Sequence, residues 1–160
     1  MIYPDIPDKD AQAALGVVAI RHGHLEYILK MTVKSLCSLS IEEALKETNK
    51  LNAARLRKRI ESEAQAILKE GDTLEWLIEM LRRSWQVSDL RNTFIHNIWA
   101  KELDGPLLMQ NDDYTWRPAP TVQELQLLSD EIQAITKEIN TSRLDGKLFA
   151  MLEEKKLTTG

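Results

Sequence analysis

Cysteine is almost absent from this chain, since Cys37 is the single example among 160 residues. One thiol excludes an intrachain disulfide and any zinc site built from several thiolates. No apolar run approaches the roughly 18 residues that a membrane-spanning helix needs. The first residues, MIYPDIPDKD, lack the basic segment and apolar stretch of a secretion signal. We therefore expect a cytoplasmic protein without a membrane segment.

Glycine and proline are also scarce, with six and five residues respectively, and a chain of 160 residues fits one domain. Few helix-breaking residues together with many charged ones favour a helical globular domain. The net charge is −4, so the overall field repels phosphate, and contact with nucleic acid would need a local basic patch. We expect a single helical domain over residues 1–160.

Apolar residues recur at steps of three and four along most of the chain, which is the spacing of an amphipathic helix. Capping boxes at residues 40–43 (SIEE) and 121–124 (TVQE) open two of the predicted helices. Another is expected to end at Gly71 as a C′ glycine, and the next either continues to residue 102 or breaks between Val87 and Ser88. The stripe of the first predicted helix is Leu15, Val18, His22, Leu25, Leu29, Thr32 and Leu36.

The helical pattern stops at Gly105 and Pro106, where LLMQNDDYTWRPAP has strand-like ends around a polar turn. A final helix is expected from about residue 142 to 155. The sequence therefore predicts an all-α, antiparallel helical bundle of about five to six helices. A short extended or hairpin excursion near residues 106–118 interrupts it.

The stretch SDLRNTFIHNIW, residues 88–99, sets three polar side chains among large apolar ones. On a helix of about 100° per residue, Asn92 and His96 stack on one face, and the long side chain of Arg91 can swing toward the imidazole. A guanidinium offers a rigid fork of donors to a phosphate. Histidine, with an ordinary pKa of about 6.5, serves as an acid or base near neutral pH. The alternative is a boundary histidine without any chemical role.

The segment RNTFIH, an arginine and a histidine separated by four residues with Asn92 directly after the arginine, resembles the signature motif of the HEPN superfamily. Leu90 before it and Trp99 after it also fit that pattern. The resemblance implies an α-helical bundle with the motif on one of its later helices. Many members are metal-independent endoribonucleases whose arginine and histidine lie at a dimer interface, while others bind nucleotides or act as scaffolds.

The resemblance also implies roles for the catalytic candidates. Arg91 would stabilise charge on the scissile phosphate, and His96 would take the proton of the ribose 2′-hydroxyl or give one to the leaving 5′-oxygen. Asn92 would orient or assist. We expect a homodimer with the motif near the two-fold axis, no cofactor and no metal. RNA is the expected substrate, and an antitoxin-like protein is the expected partner of a toxin or defence nuclease.

Weaker candidates for substrate binding lie outside the motif. Arg55 and Arg59 belong to RLRKR, a basic run that would follow an RNA backbone or else form a solvated helix face. Tyr114 and Trp116 would stack on bases or else pack the excursion against the bundle.

The first predicted helix carries one more polar pair. His22 and Glu26 are four residues apart, too few ligands for a metal site, and an ordinary helix pair is the alternative. Glu26 would support the motif if this helix packs beside the motif helix. Three functions remain open: a ribonuclease, a non-catalytic HEPN-like module that binds a nucleotide or protein, and a structural helical bundle that mediates interactions.

Overall fold

In the computed structural model, which describes residues 1–159, six helices accompany a four-stranded antiparallel sheet. The helices are α1 (Lys9–Cys37), α2 (Ile41–Thr48), α3 (Ala53–Leu68), α4 (Asp72–His96), α5 (Val122–Asp145) and α6 (Lys147–Thr159). The strands are β1 (Ile2–Pro4), β2 (Trp99–Glu102), β3 (Leu107–Gln110) and β4 (Trp116–Pro118). The predicted helical character is confirmed, but the chain is not purely all-α, because the predicted hairpin is part of a four-stranded sheet.

The core forms where the apolar stripes of α1, α3, α4 and α5 meet. Leu25 of α1, Ile60 of α3, Leu77 of α4 and Ile132 of α5 are each completely buried. Burying one such side chain stabilises the fold by about 1.5–3 kcal/mol. The predicted stripes therefore face the interior, and they fix which residues of each helix remain outside.

Helices α1 and α5 run parallel to one another. Arg21 in α1 donates hydrogen bonds to Ser129 and Asp130 in α5. Farther along α1, Ser35 accepts a hydrogen bond from Arg143, which lies farther along α5. Contacts that advance together along both helices require a parallel pair, so the predicted antiparallel arrangement is wrong here. Three helices and strands β2, β3 and β4 lie between α1 and α5 in sequence. This connection is long enough to return the chain to the end of the bundle at which α1 begins.

Helices α4 and α5 form the antiparallel pair. Trp76 near the start of α4 donates a hydrogen bond to Glu138 of α5. Arg83, two turns later, contacts Glu131, which lies earlier in α5. The segment that joins these helices contains β2, β3 and β4.

The sheet has the strand order β1-β2-β3-β4, and every neighbouring pair is antiparallel. The predicted hairpin near residues 106–118 is confirmed as β3 and β4. Strand β2 was not predicted, and it pairs with β1 at the N-terminus in the register Tyr3↔Lys101. Met109 of β3 is completely buried and belongs to the core cluster. The sheet therefore packs on the helices rather than standing apart from them.

Several helix boundaries differ from the prediction. Helix α4 passes through Val87 and Ser88 without a break and ends at His96, because Ser88 is buried and caps no helix. Gly71 has a positive φ of 109° but precedes α4, and α3 ends instead at Leu68, with Lys69 as its C-cap at a φ of 62°. Helix α5 continues past residue 142 to Asp145. Both predicted capping boxes are confirmed.

No helix among residues 1–159 combines the length and apolar character needed to cross a lipid bilayer.

Candidate functional site

The motif residues occupy the last two turns of α4. The Nη1 of Arg91 donates a hydrogen bond of 2.8 Å to the Oδ1 of Asn92. Arg91 is half-buried, whereas Asn92 and His96 are exposed. Within residues 1–159, His96 forms no hydrogen bond to either of them. Arg91 thus pairs with Asn92 and does not bond to the imidazole of His96, toward which its side chain was expected to swing.

A buried histidine from α1 lies beside the motif. His22 is only 7% exposed, and its Nε2 lies 2.9 Å from the Oγ of Ser88 in α4. Ser88 precedes Arg91 by three residues and therefore shares its face of α4. Helix α1 therefore packs beside the motif helix α4. A supporting role for Glu26 was expected only under this condition.

Charged neighbours and burial act together on this imidazole. Burial lowers the pKa of His22 below its ordinary value, and the positive charge of Arg91 lowers it further. The carboxylate of Glu26 opposes this shift, and Arg57 of α3 adds to it. His22 is therefore neutral at neutral pH. In the fold its imidazole is hydrogen-bonded to Ser88 of α4 and is not exposed to a substrate.

Glu26 also pairs with Lys30 at 3.5 Å. Within residues 1–159, no group of three or more histidine, cysteine, aspartate or glutamate side chains is placed to hold a metal ion. His22 and Glu26 are accordingly not assigned as a metal centre.

Two half-buried arginines give this region a local positive charge. The guanidinium carbon of Arg57 lies 5.9 Å from the ring centroid of Trp85, which is exposed on α4. Neither Arg57 nor Arg91 has a carboxylate within 4.0 Å among residues 1–159. The Nε of Arg91 is buried without a hydrogen-bond partner.

The basic run that includes Arg57 divides between two sides of α3. Arg59 forms ion pairs of 2.9 Å with both Glu47 and Glu63, so carboxylates already occupy it. Arg55 is exposed and pairs with no carboxylate in the described chain. Positions 55 and 59 lie about 40° apart on a helix, while position 57 lies on the opposite side. The prediction named Arg55 and Arg59 and missed Arg57. The spacing of two residues from each of them already indicated that Arg57 lies on the other side of α3.

His96 borders a cavity of about 190 Å³ between the end of α4 and the β3–β4 turn. The Nδ2 of Asn97 donates a hydrogen bond of 2.8 Å to the carbonyl of Gln110, which ties the turn to the helix. Asp112 and Tyr114 from the turn also line the cavity. The sequence did not predict that the β3–β4 turn lies beside His96.

No protein-family model, curated protein or solved structure matches this chain. The functional proposal therefore depends on the motif and on the geometry around it.

Proposed function

We propose that this protein is a metal-independent endoribonuclease of the HEPN type, acting in a toxin or defence system and held in check by an antitoxin-like partner protein. The observation that carries the proposal is the placement of Arg91, Asn92 and His96 on the last two turns of one continuous helix. Arg91 has no carboxylate within 4.0 Å in the described chain. No carboxylate therefore competes with a phosphate for this guanidinium.

The chemistry follows from these three side chains. The imidazole of His96 removes the proton of a ribose 2′-hydroxyl, and that oxygen attacks the adjacent phosphorus. The bond from phosphorus to the 5′-oxygen breaks, and the leaving oxygen takes up a proton. The products end in a 2′,3′-cyclic phosphate and a 5′-hydroxyl. Arg91 stabilises the charge that develops on the non-bridging oxygens, and Asn92 orients its guanidinium.

A homodimer would complete this site. Each chain supplies one histidine at the motif, whereas cleavage benefits from a base and an acid together. Two-fold symmetry would bring two copies of His96 and Arg91 to one RNA backbone. Large apolar side chains beside the motif support such an interface, because Leu90, Ile95 and Ile98 are 40%, 37% and 50% exposed.

The test is cleavage of single-stranded RNA by the purified protein in EDTA. The parent should cleave, and His96→Ala should lose at least about 10²-fold of its rate, as expected for one acid–base group. His24→Ala is the matched control, since His24 is an exposed histidine of α1, and it should retain the parent rate. The melting temperature should be unchanged in both variants, because each histidine is exposed. Activity that disappears in EDTA and returns with Mg²⁺ would contradict the proposed chemistry.

A second candidate is a non-catalytic HEPN-like module that binds a nucleotide or a protein. The observation that favours it is the separation of His96 from Arg91, while Arg57 and Arg91 both lie close enough to His22 to lower its pKa. Such a module would bind RNA or a nucleotide without cleaving it, and Arg57→Ala would weaken binding while His96→Ala would not. A structural helical bundle, the third candidate, would bind neither ligand.

A further inference from the structure

We propose that the cavity beside His96 is a nucleobase subsite, in which Tyr114 stacks on a base next to the scissile phosphate and Asp112 selects bases that carry an amino group. This inference rests on the proposed function, since it places the ribose of that nucleotide near His96. The cavity is lined from both sides, by the end of α4 and by the β3–β4 turn.

The turn that carries Tyr114 is held in place by several hydrogen bonds. The amide of Asn111 donates to the carbonyl of Thr115 at 2.7 Å, and the amide of Tyr114 donates to the carbonyl of Asn111 at 3.0 Å. The side chain of Asn97 ties the adjacent strand to the end of α4. Tyr114 therefore has a fixed position relative to His96, and little further ordering is needed when a ligand binds.

Tyr114 has no packing role that would explain its presence. Its backbone has a φ of 67°, a region that favours glycine or asparagine over an aromatic residue. Its side chain is 80% exposed, whereas Trp116 of the same hairpin is half-buried. Of the two aromatic residues in the excursion, only Tyr114 presents most of its ring to solvent, at the mouth of the cavity. An exposed ring on a turn whose backbone is hydrogen-bonded suits stacking on a base.

The size of the cavity suits one planar base. Its volume of about 190 Å³ is below the roughly 300–1,000 Å³ of sites that enclose drug-sized ligands, as expected for a site that holds a single base. Ile98, which is 50% exposed, adds an apolar surface. The rest of the lining is polar apart from the ring of Tyr114, so a base there would be held by hydrogen bonds as well as by stacking.

Asp112 supplies the selectivity. Its carboxylate is exposed and receives only one long hydrogen bond, 3.4 Å from the Nδ2 of Asn97 to Oδ1. An ionised carboxylate accepts hydrogen bonds and donates none, so it pairs with the amino groups of cytosine, adenine and guanine. Uracil has no amino group, and its single N3–H lies between two carbonyl oxygens that the carboxylate repels. We therefore expect cleavage to be least frequent where uracil occupies this subsite.

The experiment digests a random-sequence RNA in EDTA and maps the new 5′-hydroxyl ends by sequencing. The parent should show depletion of uracil at one position flanking the cut. Asp112→Asn should remove that depletion, because the amide both donates and accepts hydrogen bonds. Tyr114→Ala should cleave about 10-fold more slowly, the order expected for one lost stacking contact. Tyr3→Ala is the matched control, because Tyr3 lies on β1 and is 51% exposed, and it should behave as the parent.

A binding measurement separates this inference from the proposed function. Fluorescence anisotropy with a labelled single-stranded RNA should show about 10-fold weaker binding for Tyr114→Ala and unchanged binding for His96→Ala. If the parent binds with this pattern but does not cleave, the subsite stands and the ribonuclease proposal fails. If the parent cleaves but neither Tyr114→Ala nor Asp112→Asn changes rate, preference or binding, the subsite is refuted and the ribonuclease proposal stands. Binding insensitive to Tyr114→Ala in a protein without cleavage overturns both.

Discussion

The two histidines nearest the motif differ in burial and in partners. His22 of α1 is 7% exposed and contacts Ser88, whereas His96 at the end of α4 is exposed. The spacing of the motif indicated His96 as the partner of Arg91. In the fold, Arg91 lies close enough to His22 for its positive charge to lower the pKa of that imidazole. At the scale of single residues, the exposed histidine is the one that the proposed proton transfer needs, and the buried one contacts α4.

The buried His22 should make the stability of the protein depend on pH. Burial, Arg91 and Arg57 hold the pKa of His22 below its ordinary value in the folded state, despite Glu26. Between the two pKa values the unfolded chain binds more protons, so the free energy of unfolding decreases as the pH falls below about 6.5. Urea unfolding measured between about pH 7 and about pH 5.5 should show a lower free energy of unfolding for the parent at the acidic end.

His22→Gln is the variant that tests this cause, since its amide can still contact Ser88 but does not titrate. It should lose less stability than the parent over the same pH range, while the control His24→Ala should match the parent. Equal pH slopes in the parent and in His22→Gln would contradict the assignment.

At the scale of elements, the junction between α4 and β2 fixes where the motif helix ends. The indole Nε1 of Trp99, the first residue of β2, donates a hydrogen bond of 2.8 Å to the carbonyl of Phe94. That carbonyl is among the last of α4 and lacks a partner within its own helix. Trp99 therefore lies on a strand and caps the motif helix, rather than continuing it as the sequence pattern suggested.

Substitutions at Trp99 should separate this hydrogen bond from packing. Trp99→Phe should lower the free energy of unfolding by about 1 kcal/mol, the value of one hydrogen bond. Trp99→Ala should lower it by about 3 kcal/mol, the low end for tryptophan truncation, because the ring is only half-buried. Urea unfolding measures both. Parent-like stability in the two variants would show that Trp99 neither caps α4 nor packs on the core.

The long helices were predictable because their apolar stripes are local patterns, and both capping boxes are visible within four residues. Strands β1 and β2 were not, since three or four residues carry little periodicity and Tyr3 pairs with Lys101 across the length of the chain. The same reason explains the candidate site. The spacing of Arg91, Asn92 and His96 can be read from the sequence, whereas the approach of His22 and Arg57 depends on how three helices pack.

At the scale of the whole molecule, the proposed function requires two chains. Light scattering at tens of micromolar should show a homodimer, and Leu90→Asp should shift it toward monomer, because Leu90 directly precedes Arg91 and is 40% exposed. Leu127→Asp is the matched control, since Leu127 is a 69% exposed leucine of α5. A strict monomer in the parent would count against a composite site, and equal dissociation by both variants would place the interface elsewhere.

The chemistry of the RNA ends tests the central claim most directly. The purified parent protein is incubated with a defined single-stranded RNA in EDTA, and the products are analysed by mass spectrometry. The proposed attack by the ribose 2′-oxygen predicts 2′,3′-cyclic phosphate and 5′-hydroxyl ends, both absent in His96→Ala. Products with 3′-hydroxyl and 5′-phosphate ends, or intact RNA in the parent reaction, would contradict an endoribonuclease acting through Arg91 and His96.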